Sequence, residues 1–204
     1  MSSTKTSTTK KAVPAGELPI LSFAAPRGFS DWLADHHASS RGLWLRVAKK
    51  GAEVPSITYA ESVDVALSWG WIDGQKQRGD EASWLQRFTP RGAKSLWSKI
   101  NREKTLALIE GGAMQPAGLA EVERARRDGR WDRAYDPASR ATVPEDLKAA
   151  LAEDAAAATF FATLDATNRY AVLWRVQTAK KAETREKRIA AFVAMLARGE
   201  KVHP

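Results

Sequence analysis

The chain has 204 residues, 44% of them hydrophobic and 27% charged, a balance that excludes collagen, a coiled coil and full disorder and leaves enough length to bury a core. With no Cys, disulfides, thiolate metal sites and cysteine nucleophiles are excluded together. The three His stand at His36, His37 and His203, a spacing unlike zinc or triad patterns, so neither a metal nor another cofactor is expected, while a formal charge of +8 keeps nucleic acid, anionic lipid and acidic ligands open as partners.

Residues 1–15 are mostly Ser, Thr and Lys, including Lys5, Lys10 and Lys11, and read as a disordered basic tail. The N-terminus lacks the apolar core of a signal peptide, and no stretch approaches the roughly 18 apolar residues of a membrane span. A cytoplasmic protein without membrane insertion is therefore expected. Leu18 to Phe23, short and apolar, predicts a strand, and Phe29, Trp32 and Leu33 predict a helix with Ser30 and Asp31 near its start. Leu43 to Val47 alternates as a strand does. Thr58 and Glu61 form a capping-box pair for a helix over Tyr59 to Trp69, stopped by Gly70. Two short strands follow, Ile72 to Lys76 and Trp84 to Phe88. Ser95 is the expected N-cap of a helix carrying Trp97, Ile100 and Leu106, and Ala117 to Arg127 makes another.

From Thr142 the composition turns alanine-rich and helical, with Thr142 and Glu145 as a second capping-box pair, and three or four helices fit. Asn168 to Lys181 and Glu183 to Arg198 each carry an apolar face and read as a helical hairpin. The fold class expected is α+β: a small sheet packed by helices over residues 16–138, followed by an all-helical C-terminal module over residues 139–204.

Half of the eight Trp fall between Ser68 and Lys104, interleaved with cations. Such a pattern stacks on bases, binds an aromatic or anionic ligand, or fills a core with a charged rim. The segment Gly70-Trp71-Ile72-Asp73-Gly74 reads as a turn in which Asp73 either accepts from the turn's own amides or anchors a ligand. Arg91 beside a helix start at Ser95 suits an anion. The candidate ligand site groups Trp69, Trp71, Asp73, Arg87, Arg91, Ser95, Trp97 and Asn101. Trp would supply stacking area, Arg the anion contact, and Asp73, Ser95 and Asn101 orienting hydrogen bonds. A second candidate is the basic stripe Lys181, Arg185 and Arg188, which suits nucleic acid or an acidic partner. No nucleotide-hydrolase, dinucleotide or α/β-hydrolase signature is present, so the reading leans away from an enzyme. The enzymatic alternative would use Asp73 as general base with Arg91 holding a small anionic substrate.

Five strings carry a resemblance: Trp69-Gly70-Trp71-Ile72-Asp73-Gly74, Phe88-Thr89-Pro90-Arg91, Ser95-x-Trp97-Ser98-x-Ile100-Asn101, Gly129-Arg130-Trp131-Asp132-x-Ala134-Tyr135, and Ala179-Lys180-x-x-Glu183-Thr184-Arg185-x-x-Arg188-Ile189. Together they resemble the YdeI/OmpD-associated family of bacterial proteins. The resemblance implies a stress-response role in bacteriocin protection or antimicrobial-peptide resistance, and a helical C-terminal module over about Thr142 to Arg198. It implies no catalytic residue.

Overall fold

The computed structural model describes residues 17–204. The basic tail expected over residues 1–15 lies outside the described residues. The architecture is α+β, with a four-stranded mixed sheet, eight helices among the described residues and an all-helical C-terminal region. The described residues fall into two compact units, residues 17–94 with 108–122 and residues 95–107 with 123–204. Among them, no helix is long and apolar enough to cross a membrane.

In the first unit the strands are β1 (Ile20–Leu21), β2 (Leu43–Ala48), β3 (Trp71–Arg78) and β4 (Ser83–Pro90), in the order β1-β2-β4-β3. β1 runs parallel to β2, and the other pairs are antiparallel. The period-2 alternation of β2 sends Leu43, Leu45 and Val47 to one face, opposite Phe88, Gln86 and Trp84 of β4. Helices α1 (Pro26–His36) and α2 (Tyr59–Ser68) pack on that face. Phe29 of α1 meets Phe88 with ring centroids 5.5 Å apart, and Tyr59 of α2 lies 5.8 Å from the Trp84 ring. Phe29, Leu33, Leu43, Leu45, Val63 and Leu67 are buried there, each stabilising the unit by about 1.5–3 kcal/mol before entropy is set against it.

Local signals explain most boundaries. The capping box of α2 is present, with the Glu61 amide donating to Thr58 Oγ1 and the Thr58 amide to Glu61 Oε2. Gly70 ends the helix at φ +76°, the left-handed conformation favoured just past a helix C-terminus. Two expectations fail here. Helix α1 starts at Pro26 rather than near Ser30, because proline's fixed φ suits the first helical position. The segment Gly70 to Gly74 is not a turn, since Trp71 onward is already strand β3, with a bulge between Asp73 and Lys76.

The remaining helices are α3 (Lys99–Glu110), α4 (Pro116–Arg127), α5 (Glu145–Ala152), α6 (Ala155–Thr163), α7 (Ala166–Gln177) and α8 (Ala182–Ala197), and each unit takes part of α3 and α4. Ser98, not Ser95, caps α3: its Oγ accepts the Asn101 amide at 3.1 Å. The helix begins late because Lys99 and Tyr135 donate their amides to the carbonyls of Tyr135 and Trp97, holding residues 97–99 extended. The second capping box does not form. Pro144 occupies the N-cap of α5 and no side chain caps it. Asp154 and Asp165 cap α6 and α7 instead, through the Ala157 and Asn168 amides.

In the second unit Trp97 and Trp131 meet edge to face at 4.9 Å. Helices α5–α8 close around Leu147, Leu151, Phe161, Val172, Val176 and Leu196. Tyr170 donates its hydroxyl to the Asp136 carbonyl, and burial pushes its pKa up to about 12.

Candidate functional site

The strand alternation that buries Leu43, Leu45 and Val47 turns Trp44, Arg46 and Ala48 to the opposite face of the sheet. The register places Trp44 beside Ile20 and Arg87, and Arg46 beside Leu85. Two recesses lie on this face, both lined by residues of the first unit. The larger, about 460 Å³, has an apolar floor of Ile20, Trp44 and Leu85, with Glu17, Gln77 and Arg87 as its polar groups. Its volume falls within the roughly 300–1,000 Å³ of small-molecule sites.

Arg87 sets the electrostatics of that recess. Its Nη1 donates to Gln75 Oε1 at 2.9 Å, while its Nε is buried without a hydrogen-bond partner. Among the described residues no carboxylate lies within ion-pair distance of it. The bulge in β3 presents Gln75, and Gln86 fixes that bulge by donating Nε2 to the carbonyls of Gly74 and Gln75 at 2.9 and 3.3 Å. A half-buried guanidinium held by a neutral amide favours an added anion, because a buried charged donor left unsatisfied is costly.

The smaller recess, about 110 Å³, is the opposite case. Arg46 is ion-paired to Asp80 and donates to Ser83 Oγ at 2.9 Å. The Ser83 hydroxyl in turn donates to Asp80 Oδ1 at 2.7 Å. That hydroxyl is the chief stabiliser of the Asp80 carboxylate, whose pKa lies below the usual range. This cluster is closed on itself.

The eight residues grouped from the sequence divide between the units. Trp69, Trp71, Asp73, Arg87 and Arg91 belong to the first, and Ser95, Trp97 and Asn101 to the second. Trp71 is 1% exposed, donates its indole N–H to the His37 carbonyl and meets Trp32 edge to face. Trp69 donates to Ser30 Oγ and packs its ring against His37. Trp97, 2% exposed, packs against Trp131. The stacking faces of Trp71 and Trp97 are thus covered by protein. Asp73 accepts the Tyr59 hydroxyl at 2.7 Å. Arg91 is 4% exposed, and its amide donates to the Gly70 carbonyl. Ser95 accepts Arg130 Nη1 on its carbonyl, and Asn101 lies in the first turn of α3. Of the eight, Arg87 lines the larger recess.

The basic stripe on α8 is engaged within the second unit. Arg185 chelates Asp146 with Nε and Nη2 and donates Nη1 to the Val176 carbonyl. This pairing lowers the Asp146 pKa and raises that of Arg185. Arg188 donates to the Arg175 carbonyl, and Lys181 is the exposed N-cap of α8. The sequence reading did not single out Trp44, Gln77 and Glu17, which line the larger recess, or Gln75, which holds Arg87. The one available signal was the alternation of β2, which put a Trp on the face opposite its Leu neighbours.

Two family models match the chain. Residues 21–121 match a domain of unknown function, and residues 140–199 match the family described as bacteriocin-protection, YdeI or OmpD-associated. No curated protein and no solved structure matches.

Proposed function

We propose that the chain, whose residues 140–199 match the family described as bacteriocin-protection, YdeI or OmpD-associated, is a ligand-binding protein whose sheet unit takes a small anion with an apolar or aromatic body. The observation that carries this reading is Arg87, a cation without a carboxylate partner among the described residues, beside an apolar floor in a recess of ligand size. The ligand's carboxylate would take Arg87 Nη2, which is neither buried nor bonded to a described residue, and its body would lie on Trp44, Ile20 and Leu85. Cytoplasmic action in a stress response belongs to the same proposal.

The nucleic-acid reading has less support, since Arg185 and Arg188 already donate into their own unit. The enzymatic reading also has less, since Tyr59 holds the Asp73 carboxylate.

Calorimetric titration of the full chain with a panel of aryl and alkyl carboxylates, phenylpropionate among them, tests the proposal. Binding is expected to weaken about tenfold or more in Arg87→Ala, the value of a charge-assisted hydrogen bond. Phenylpropionate binding that survives Arg87→Ala unchanged, or no binding by any member of the panel, overturns it.

A further inference from the structure

The larger recess has a second charge. Glu17 is exposed on its lining, so an apolar floor lies between one guanidinium and one carboxylate. A plain carboxylate satisfies Arg87 and is repelled by Glu17. A ligand carrying both a carboxylate and an ammonium group satisfies both charges.

Strand geometry sets the separation such a ligand must span. Ile20 pairs with Trp44, and Trp44 with Arg87, so Arg87 lies two strand spacings from β1, about 10 Å. Glu17 precedes Ile20 by three residues, up to about 10 Å along the chain. Both residues line the same recess of about 460 Å³, so a ligand seated in it can meet both. The ionic groups of a free amino acid are separated by about one residue length, roughly 3.5 Å, whereas two or three extended residues span about 7–10 Å.

We infer that the recess takes a short apolar peptide of two or three residues, its C-terminal carboxylate on Arg87, its N-terminal ammonium on Glu17, and its side chains on Trp44, Ile20 and Leu85. This rests on the anion site described above and adds the class of ligand that fills it. Both ends are read as charges, so peptides with blocked ends are discriminated against.

The test titrates the full chain with the dipeptide leucyl-phenylalanine, its N-acetyl and C-amide forms, free phenylalanine and phenylpropionate. The free dipeptide is expected to bind tightest. Amidation should weaken it about tenfold, the loss of a charged partner on Arg87. Acetylation should weaken it about threefold, as for an exposed ion pair. In Glu17→Gln the acetyl and free forms should bind alike, so the loss is assigned to that pair and not to bulk. If phenylpropionate binds through Arg87 while the acetylated dipeptide matches the free one, the peptide inference fails and the anion site stands. Free phenylalanine binding as tightly as the dipeptide overturns the two-ended spacing. If neither phenylpropionate nor any dipeptide binds, the anion site fails and the inference fails with it.

Discussion

The described residues of the sheet unit hold ten Lys and Arg against eleven Asp and Glu, a net charge of −1, while those of the helical unit hold nineteen against thirteen, a net charge of +6. On charge alone the helical unit is the place to look for an anionic partner. Several of its arginines are nevertheless committed. Arg185 chelates Asp146, Arg130 pairs with Asp128 and the Ser95 carbonyl, and Arg102 and Arg188 donate to main-chain carbonyls. The nearly neutral sheet unit holds Arg87, a half-buried cation on the lining of a recess with no carboxylate among the described residues at ion-pair distance. Net charge governs the long-range field. Compensation at hydrogen-bond range decides where a ligand gains something that the protein does not already supply.

The largest test of this contrast removes a core side chain from each unit. Phe88→Ala should cost about 3–5 kcal/mol and Leu147→Ala about 2–5 kcal/mol in urea unfolding. Hydrogen exchange should rise most in the sheet amides for the first and in α5–α8 for the second. Exchange rising equally throughout both units would break the division. Gly118→Ala comes next. A Cβ there would stand 2.2 Å from the Ser68 carbonyl oxygen, and such overpacking costs about 1–3 kcal/mol, read as a lowered Tm.

The two arginines sharpen the comparison most directly. Arg185→Leu should destabilise by about 1 kcal/mol, because it leaves Asp146 and the Val176 carbonyl without their donor. Arg87→Leu should be neutral or stabilising by up to about 1 kcal/mol, since it removes a guanidinium whose Nε is buried and unsatisfied. A destabilisation by Arg87→Leu as large as that of Arg185→Leu would count Arg87 as a structural residue.

The smallest effect is on pH dependence. Arg185 holds the folded-state pKa of Asp146 below its unfolded value, near 3.9. The stability this pair contributes is therefore fully present above the unfolded pKa and is lost as pH falls through the folded one. Thermal unfolding from about pH 5 downward should show a shallower loss of Tm in Asp146→Asn than in the parent chain. Equal slopes would show that the pair does not form in solution.

Legibility followed the range of the interaction that each feature depends on. The alternation of β2 and the capping box at Thr58 and Glu61 were readable, because each is set by residues within a few positions. The start of α3 was not, because the strand-like pairing of Trp97 and Lys99 with Tyr135 delays the helix past Ser95. The box at Thr142 and Glu145 has the right residues, yet Pro144 takes the N-cap. Of the residues that line the larger recess, the sequence reading named Arg87, while the tryptophan there is Trp44 and not Trp69, Trp71 or Trp97.

The sequence by itself determined the α+β class, the helical C-terminal region and, over residues 140–199, the likeness to the YdeI/OmpD-associated family, because periodicity, caps and motif spacing are properties of short segments. Only the tertiary structure decided which tryptophans are covered and which cations are compensated. Trp71 gives its N–H to a carbonyl 34 residues away, and Arg185 finds its carboxylate at a separation of 39. Burial and charge compensation are sums over neighbours brought together by the fold, and no local pattern along the chain encodes who those neighbours are.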